Sequence, residues 1–359
     1  MNTFHSPRVS TEGETQVLEA LGSLDRRAAR RAARVFGERG FPTRRHEAWK
    51  YSDLRAALSK TLSLHVTPGD GRHVRQYQPV DDAGDPIAML AGALAGKLSF
   101  DGVIEEPKTF EYNDHGVRAL KVYGKALLIE RLGATHGLAA SSLTASVSGD
   151  LTRIVIHDGA DDEVALSTAT ISVSGRFRQF VMSTGSKLAR IETNVQIEGE
   201  GASVELNGVY LCGSGRHADL TSVIEHKVGG CNTRQLIKGV AAKGGRGVFQ
   251  GKIVVERGAQ RTDARQYHHG LLLEAGAEIF AKPELMIHAD DVQCAHGNTA
   301  GGLDETALFY MRSRGIAEVE ARTLLIEAFL VEAIPDGLPA DLVEELTGHM
   351  RSWLVESAV

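Results

Sequence analysis

Pro283-Glu-Leu-Met-Ile-His-Ala-Asp-Asp-Val-Gln-Cys-Ala-His-Gly-Asn-Thr-Ala-Gly-Gly302 is the stretch where the hydrophobic pattern of this chain changes period. Upstream, apolar and polar residues alternate between glycine-rich turns, as strands require; downstream, Leu303, Ala307, Leu308 and Met311 recur at the spacing of one helix face. The change predicts a mainly β body ending near residue 302, followed by a separable helical unit. A cysteine and a histidine stand at the seam. With Val292 to His296 extended, Cys294 and His296 project from one face and Ala295 from the other. A thiol and an imidazole together, ahead of a glycine-rich exit at Gly297, Gly301 and Gly302, are ligand types for a soft or borderline metal. A buried thiol beside a histidine that satisfies a backbone carbonyl is the other reading of this spacing.

Short strand patterns recur upstream, among them Thr152–His157, Ala165–Val173 and Ser203–Leu206. Gly-Ala pairs begin at 159, 201, 258 and 276, and their separations of 42, 57 and 18 lie near multiples of about 20, a solenoid coil period. Gly208-Val-Tyr210 and Gly247-Val-Phe249, 39 apart, fit two such coils as matching strand starts. A β-sandwich also gives frequent short strands. Arg118–Tyr123 and Lys125–Ile129 read as strands, although Leu127 to Leu138 reads equally as a short helix. A solenoid leaves two ends and an edge unsatisfied, and helices at the two termini are available to cover them.

From Glu14 to Arg39, Val17, Leu18, Leu21, Leu24, Ala28 and Ala32 predict one amphipathic helix, ended by Gly40-Phe-Pro42, with the basic run Arg26–Arg31 as its solvated face. Helix resumes near Glu47, where Trp49 anchors it in a core; Trp49-Lys50-Tyr51 as a partner contact is the weaker reading. Between Leu62 and Pro107 the signals are mixed, with turns at Pro68-Gly-Asp-Gly71 and Asp81-Asp-Ala-Gly-Asp-Pro86. After the seam, Asp304 is an N-cap for a helix to Arg314, with Gly315 just past its end. A second helix runs from Ala317 to about Ala333 with Val319, Leu324, Ala328 and Val331 as its core face, and a third from Ala340 to Glu356 carries Leu342, Leu346, Met350 and Trp353. Phe309, Tyr310 and Phe329 read equally as core or as an apolar patch for a partner.

Composition narrows the function. The 359 residues suffice for two or three domains, and 42% hydrophobic with 24% charged residues is ordinary for a globular protein, whereas 39 glycines imply many tight turns. A net charge of -6 argues against a nucleic-acid groove. There is no apolar run long enough to span a bilayer, and Met1-Asn-Thr-Phe-His-Ser6 lacks the order of a signal peptide, which predicts a cytosolic chain. Three widely spaced cysteines make neither a disulfide framework nor a four-thiolate cluster site. The sequence has no phosphate-binding loop, nucleophile elbow or His-Glu-x-x-His helix. His268-His269, as strand neighbours, face opposite sides and make a poor metal pair. A β-helix polysaccharide lyase or hydrolase is the competing reading; it needs clustered carboxylates, whereas Asp161-Asp162 and Asp290-Asp291 read as turn residues.

The seam also carries a resemblance. Asp290-Asp-Val-Gln-Cys-Ala-His-Gly297, then Leu303-Asp304, Leu308-Phe-Tyr310 and Ser313-Arg-Gly-Ile316, resembles the SufB/SufD family of iron–sulfur cluster assembly scaffolds. Gly247-Val-Phe-Gln-Gly-Lys-Ile-Val-Val255, with Ala259, Thr262-Asp-Ala264 and Gln266, and Glu47-Ala-Trp-Lys-Tyr-Ser-Asp-Leu54 resemble it too. The likeness is dense from Gly247 to Phe329 and loose from Ser63 to Asp150. Tyr267, where the B member has a cysteine, and Cys294-Ala-His296, where it has Glu-His-Glu, match the D pattern, from which Ala295 and Asn298 depart. The resemblance implies a right-handed parallel β-helix over 96–302 between helical regions at 1–95 and 303–359. It implies a non-catalytic scaffold that pairs with a SufB-like subunit through solenoid edges and docks a SufC-like ABC-type ATPase through its C-terminal helices. Phe309, Tyr310, Arg312, Arg314 and Phe329 are the docking residues that the resemblance implies. A transient iron–sulfur cluster, shared with the SufB-like partner, would take a nitrogen ligand from His296, with Cys294 as a neighbouring thiol and the main thiolate from the partner. The isolated chain would hold no cofactor stably. The sequence does not decide whether a flavin joins the complex or whether the chain alone pairs with itself.

Overall fold

Alternation of apolar and polar residues commits each strand segment to two faces; here the inner faces share one core and helices cover part of the outer face of each sheet. The computed structural model describes residues 10–64, 66, 85–95, 100–112, 115–132, 137–213 and 215–357. Sixteen strands among them form two eight-stranded sheets in which every pairing is parallel. Sheet one holds β1 (Phe100–Val103), β3 (His115–Val122), β5 (Leu138–Val147), β7 (Val164–Val173), β9 (Leu188–Ile197), β11 (His217–His226), β13 (Arg246–Val255) and β15 (Glu278–Ile287). Sheet two holds β2 (Lys108–Tyr112), β4 (Lys125–Leu132), β6 (Asp150–His157), β8 (Arg176–Ser183), β10 (Ser203–Cys212), β12 (Asn232–Ala241), β14 (Asp263–Leu272) and β16 (Gln293–Gly301). Odd strands lie in one sheet and even strands in the other, so the chain winds as a parallel β-solenoid. The expected β-helix between flanking helices is what the protein adopts, and the strand reading of Lys125–Ile129 holds over the helical one.

The coil is longer than the glycine pairs suggested. Stacked residues are separated by 26 positions at Ser141 and Ser167, 29 at Arg190 and Asp219, and 32 at Arg246 and Glu278. The Gly-Ala pairs fall at different corners of the coil, which disguises the period. Gly208 and Gly247 are not equivalent: one is in β10, the other in β13 of the opposite sheet.

Inside the tube, Leu128, Phe177, Leu206, Ile224, Phe249 and Ile253 belong to one continuous core. The outer faces are covered separately. On sheet one lie α1 (Glu12–Ser23), α2 (Arg27–Arg39), the one-turn α3 (Leu54–Ala57) and α4 (Pro86–Ala95), whose Leu21, Ala32, Phe36, Leu54 and Leu90 share a core with Leu138, Leu166 and Leu188. The single helix expected over 14–39 is thus two, parted where Leu24 becomes extended. The break carries Arg26 out of the predicted solvated face into the interior, where its Nη1 donates to Ala93 O (3.2 Å) and Leu94 O (3.3 Å) at the C-terminal end of α4. Within the expected turn at 81–86, Asp85 instead caps α4, accepting from Ile87 N (2.7 Å) and Ala88 N (3.3 Å), and Pro86 is the first residue of that helix; positions 81–84 and the expected turn at 68–71 lie outside the described residues.

After the solenoid come α5 (Glu305–Ser313), α6 (Glu318–Val331) and α7 (Ala340–Glu356). Asp304 caps α5 as expected, Gly315 has φ 88°, and Leu342, Leu346, Met350 and Trp353 are the buried face of α7. The face of α6 differs: Ala321, Ile326 and Leu330 are buried while Val319, Leu324 and Ala328 are exposed. Apolar residues surround most of that helix, so spacing alone does not select a side. Helices α6 and α7 do not close the end of the tube as covers. They lie on the outer face of sheet two, in one core with Ile154, Phe180, Val209, Leu211 and Val240. The last coil therefore stays open among the described residues. Among the described residues, none of the helices is long and apolar enough to cross a membrane.

Candidate functional site

Strand β16 continues through the glycine-rich exit to Gly301, so Cys294 stands near the start of the strand and His296 within it rather than at its end. Register places Cys294 beside Ala264, His296 beside Gln266 and Asn298 beside His268. These partners belong to the inward rows of β14, where Gln266 and His268 are fully buried. Cys294, His296 and Asn298 thus form the inward face of a coil with no further coil stacked on it. Cys294 is half-buried and packs on the interior core, and burial pushes its thiol pKa up. His296 is exposed.

Behind this face lies a fixed polar column. His268 Nδ1 is 2.7 Å from Asn298 Oδ1 and its Nε2 is 2.9 Å from the Tyr210 hydroxyl, with the ring stacked on Phe249 at 5.3 Å between centroids. Burial lowers the His268 pKa to about 4, against a smaller opposing effect of Asn298. The ring is neutral at physiological pH, which suits donation from Nδ1 to Asn298 and acceptance of the Tyr210 proton at Nε2. His269 points the other way, to Thr299 Oγ1 (2.7 Å), as adjacent strand residues must. Among the described residues, no group of three or more His, Cys, Asp or Glu is gathered closely enough to hold a metal. Cys294 and His296 are a partial ligand set.

The docking residues implied by resemblance divide. Phe309 and Tyr310 on α5 are 72% and 58% exposed, and with Arg312, Arg314, Val319 and Leu324 they make a surface patch; Arg314 lies over the Tyr310 ring at 5.2 Å and donates to its hydroxyl (3.1 Å). Phe329 faces elsewhere. It packs on the outer core of sheet two under the Lys238 ammonium, 4.4 Å from the ring centroid.

One constellation was missed in the sequence. Ser52 Oγ donates to Asp219 Oδ2 (2.5 Å) and lies 3.2 Å from His217 Nε2, a Ser/His/Asp grouping. Its wiring is structural. Asp219 is fully buried and also accepts from Arg190 Nη1 (2.6 Å), Thr221 Oγ1 (2.7 Å) and Gln250 Nε2 (3.2 Å); Arg190 stacks on Trp49 at 4.3 Å, and burial lowers the His217 pKa to about 4. Ser52 is bonded to the carboxylate, not oriented by a histidine that the carboxylate holds. Residues 47–54 are a clasp on sheet one, extended by Tyr51 on Phe280 (5.3 Å) and Lys282 Nζ on Glu47 (2.5 Å), so Trp49 is core as expected. Asp161, Asp162, Asp290 and Asp291 lie in turns or bends, and Asp161 is paired with Arg216 (2.8 Å).

Residues 125–329, more than half of the chain, match the family model described as SUF system FeS cluster assembly, SufBD core domain. The chain belongs to the SufBD family. It is 29% identical to the iron–sulfur cluster assembly protein SufD of Escherichia coli K12, covering 83% of this chain and 86% of that protein. The chloroplastic protein ABCI7 of Arabidopsis thaliana is 37% identical over 48% of this chain and 37% of its own length. An iron–sulfur cluster assembly SufBD family protein of Synechocystis is 35% identical over 49% of this chain and 38% of its own. The SufBD match begins at the first residue of β4 and stops inside α6. It therefore takes in β14, β16 and α5, while the 47–54 clasp packs on the SufBD core from outside the matched span.

Proposed function

We propose that this chain is a non-catalytic scaffold subunit for iron–sulfur cluster assembly, presenting His296 as a nitrogen ligand at the open end of its solenoid while a SufB-like solenoid supplies the main thiolate. The observation that carries this reading is the last coil: a two-residue ligand set faces inward beside two long strands, β15 and β16, each paired on one edge only. A free edge of nine or ten residues is a template for another chain's strand, and a partner seated there brings further ligands to the same face. A neutral imidazole binds iron without first losing a proton to a base, whereas the half-buried Cys294 thiol, its pKa raised, is a reluctant thiolate. The cluster is cargo, passed on rather than retained.

The α5–α6 patch is the proposed seat of a SufC-like ABC-type ATPase. Only residues 302–304 separate β16 from α5, so displacement of α5 by a docked ATPase reaches the strand that bears His296. The test is cluster absorbance in the co-expressed complex, with thermal melts alongside. His296→Ala is expected to lower the absorbance at an unchanged melt and Cys294→Ala to lower it less. Equal absorbance in wild type and His296→Ala removes the ligand role.

A further inference from the structure

Gln266 and His296 are register partners on the inward rows of β14 and β16, yet the amide is wholly buried and the imidazole is exposed. Gln266 Nε2 donates to Gln235 Oε1 (2.8 Å), and Gln235 Nε2 donates to Ser222 Oγ (2.8 Å), which turns the Gln266 nitrogen toward the preceding coil. Its Oε1 is left buried without a hydrogen-bond partner. Packing holds the amide in that orientation: a Cβ on Gly251 of β13 would lie 2.2 Å from Gln266 Nε2 and 2.5 Å from Phe249 Cζ, so glycine there leaves room for the amide and nothing more. A buried carbonyl oxygen without a donor is rare, and the next side chain along the same row is the His296 ring.

We infer that Gln266 is a positioning residue for His296: when the exposed ring turns onto its register partner, the unpartnered Oε1 accepts the proton of one ring nitrogen, leaving the other nitrogen unprotonated and turned out of the solenoid end. A neutral imidazole has one N–H and one lone pair, so fixing the N–H fixes which nitrogen is offered to a metal. This rests on His296 being a ligand. It adds the tautomer and the residue that selects it, and the column Ser222–Gln235–Gln266 becomes the support of that choice rather than a buried network with a loose end.

The experiment is nitrogen NMR of the free full-length chain with labelled histidine, at mildly alkaline pH, the His296 ring being assigned by its loss in His296→Ala. In wild type the two ring-nitrogen resonances are expected well apart, as one tautomer gives. Gln266→Met, which keeps length and packing but lacks the oxygen, is expected to draw them together toward the mixed-tautomer average, and Gln266→Glu, which restores an oxygen, to keep them apart. Mixed tautomers in wild type overturn the inference without any variant, as does an unchanged separation in folded Gln266→Met. The free chain needs no cluster for this measurement. The ligand role, read from His296→Ala in the complex, fails or survives separately.

Discussion

Replacing Asp219 with alanine strands a cation inside the protein. Arg190 and Asp219 are both fully buried, and Asp219 also receives Ser52, Thr221 and Gln250. Removing one partner of a buried ion pair costs about 3–5 kcal/mol because the other charge stays desolvated. Glu192, 2.9 Å from Arg190 and partly exposed, offsets some of this, while the three other lost donors add about 1 kcal/mol or less each. A loss near 4 kcal/mol is expected, a large share of the ~5–15 kcal/mol that holds a typical domain together. The assay is urea unfolding at neutral pH, followed by circular dichroism and by the emission of Trp49, which lies against Arg190. The double variant Arg190→Met/Asp219→Leu is expected to recover most of the loss, since it leaves no fully buried unpaired ion and the Glu192 carboxylate it frees is partly exposed. An Asp219→Ala cost below about 1 kcal/mol, or a double variant as unstable as the single one, would refute the argument.

Acid should loosen the solenoid in a defined window. His217, His226 and His268 have folded pKa values lowered to about 4 by burial, below the ordinary 6.5, so their contribution is intact above 6.5 and is lost as pH falls toward 4, up to about 3 kcal/mol each. Asp85, its pKa raised by burial to about 6, acts in the opposite sense as it protonates, and a urea midpoint flat from pH 7 to about 4 would sink the histidine account. Gly239→Ala should cost about 1–3 kcal/mol or more, because its Cβ would lie 1.9 Å from Tyr210 Cζ in a ring pinned by His268; a wild-type melting curve would contradict that packing. Phe309→Asp is expected to abolish co-elution with a SufC-like ATPase while changing stability by less than about 0.5 kcal/mol, and retained co-elution would move the docking surface elsewhere.

Much of this was legible in the sequence because strands with one covered face alternate and because α7 has a narrow apolar stripe. Helix α4 was not, since Ile87 to Ala95 are buried all round and such a helix has no amphipathic period. The break between α1 and α2 was hidden because its reason, a buried Arg26 reaching the end of α4, lies nearly 70 positions away. The candidate site shows the same division. Cys294 and His296 are two apart and could be paired by eye, whereas Gln266 and Asn298 enter only through a register about 30 residues long. The Ser52, Arg190 and Asp219 clasp depends on three distant segments and gives no local signal.

The shortness of the first two strands gives the tube a taper. Among the described residues, β1 and β2 at one end have 4 and 5 residues, and β15 and β16 at the other have 10 and 9. At about 3.3 Å per residue the flat walls differ by roughly 13 to 20 Å between the ends. Two such wedges stacked narrow end on broad end leave several backbone groups of each broad strand without a counterpart. Two broad ends match along their whole length. Where two such solenoids meet end to end as proposed above, the taper favours broad end against broad end, with His296 in the seam.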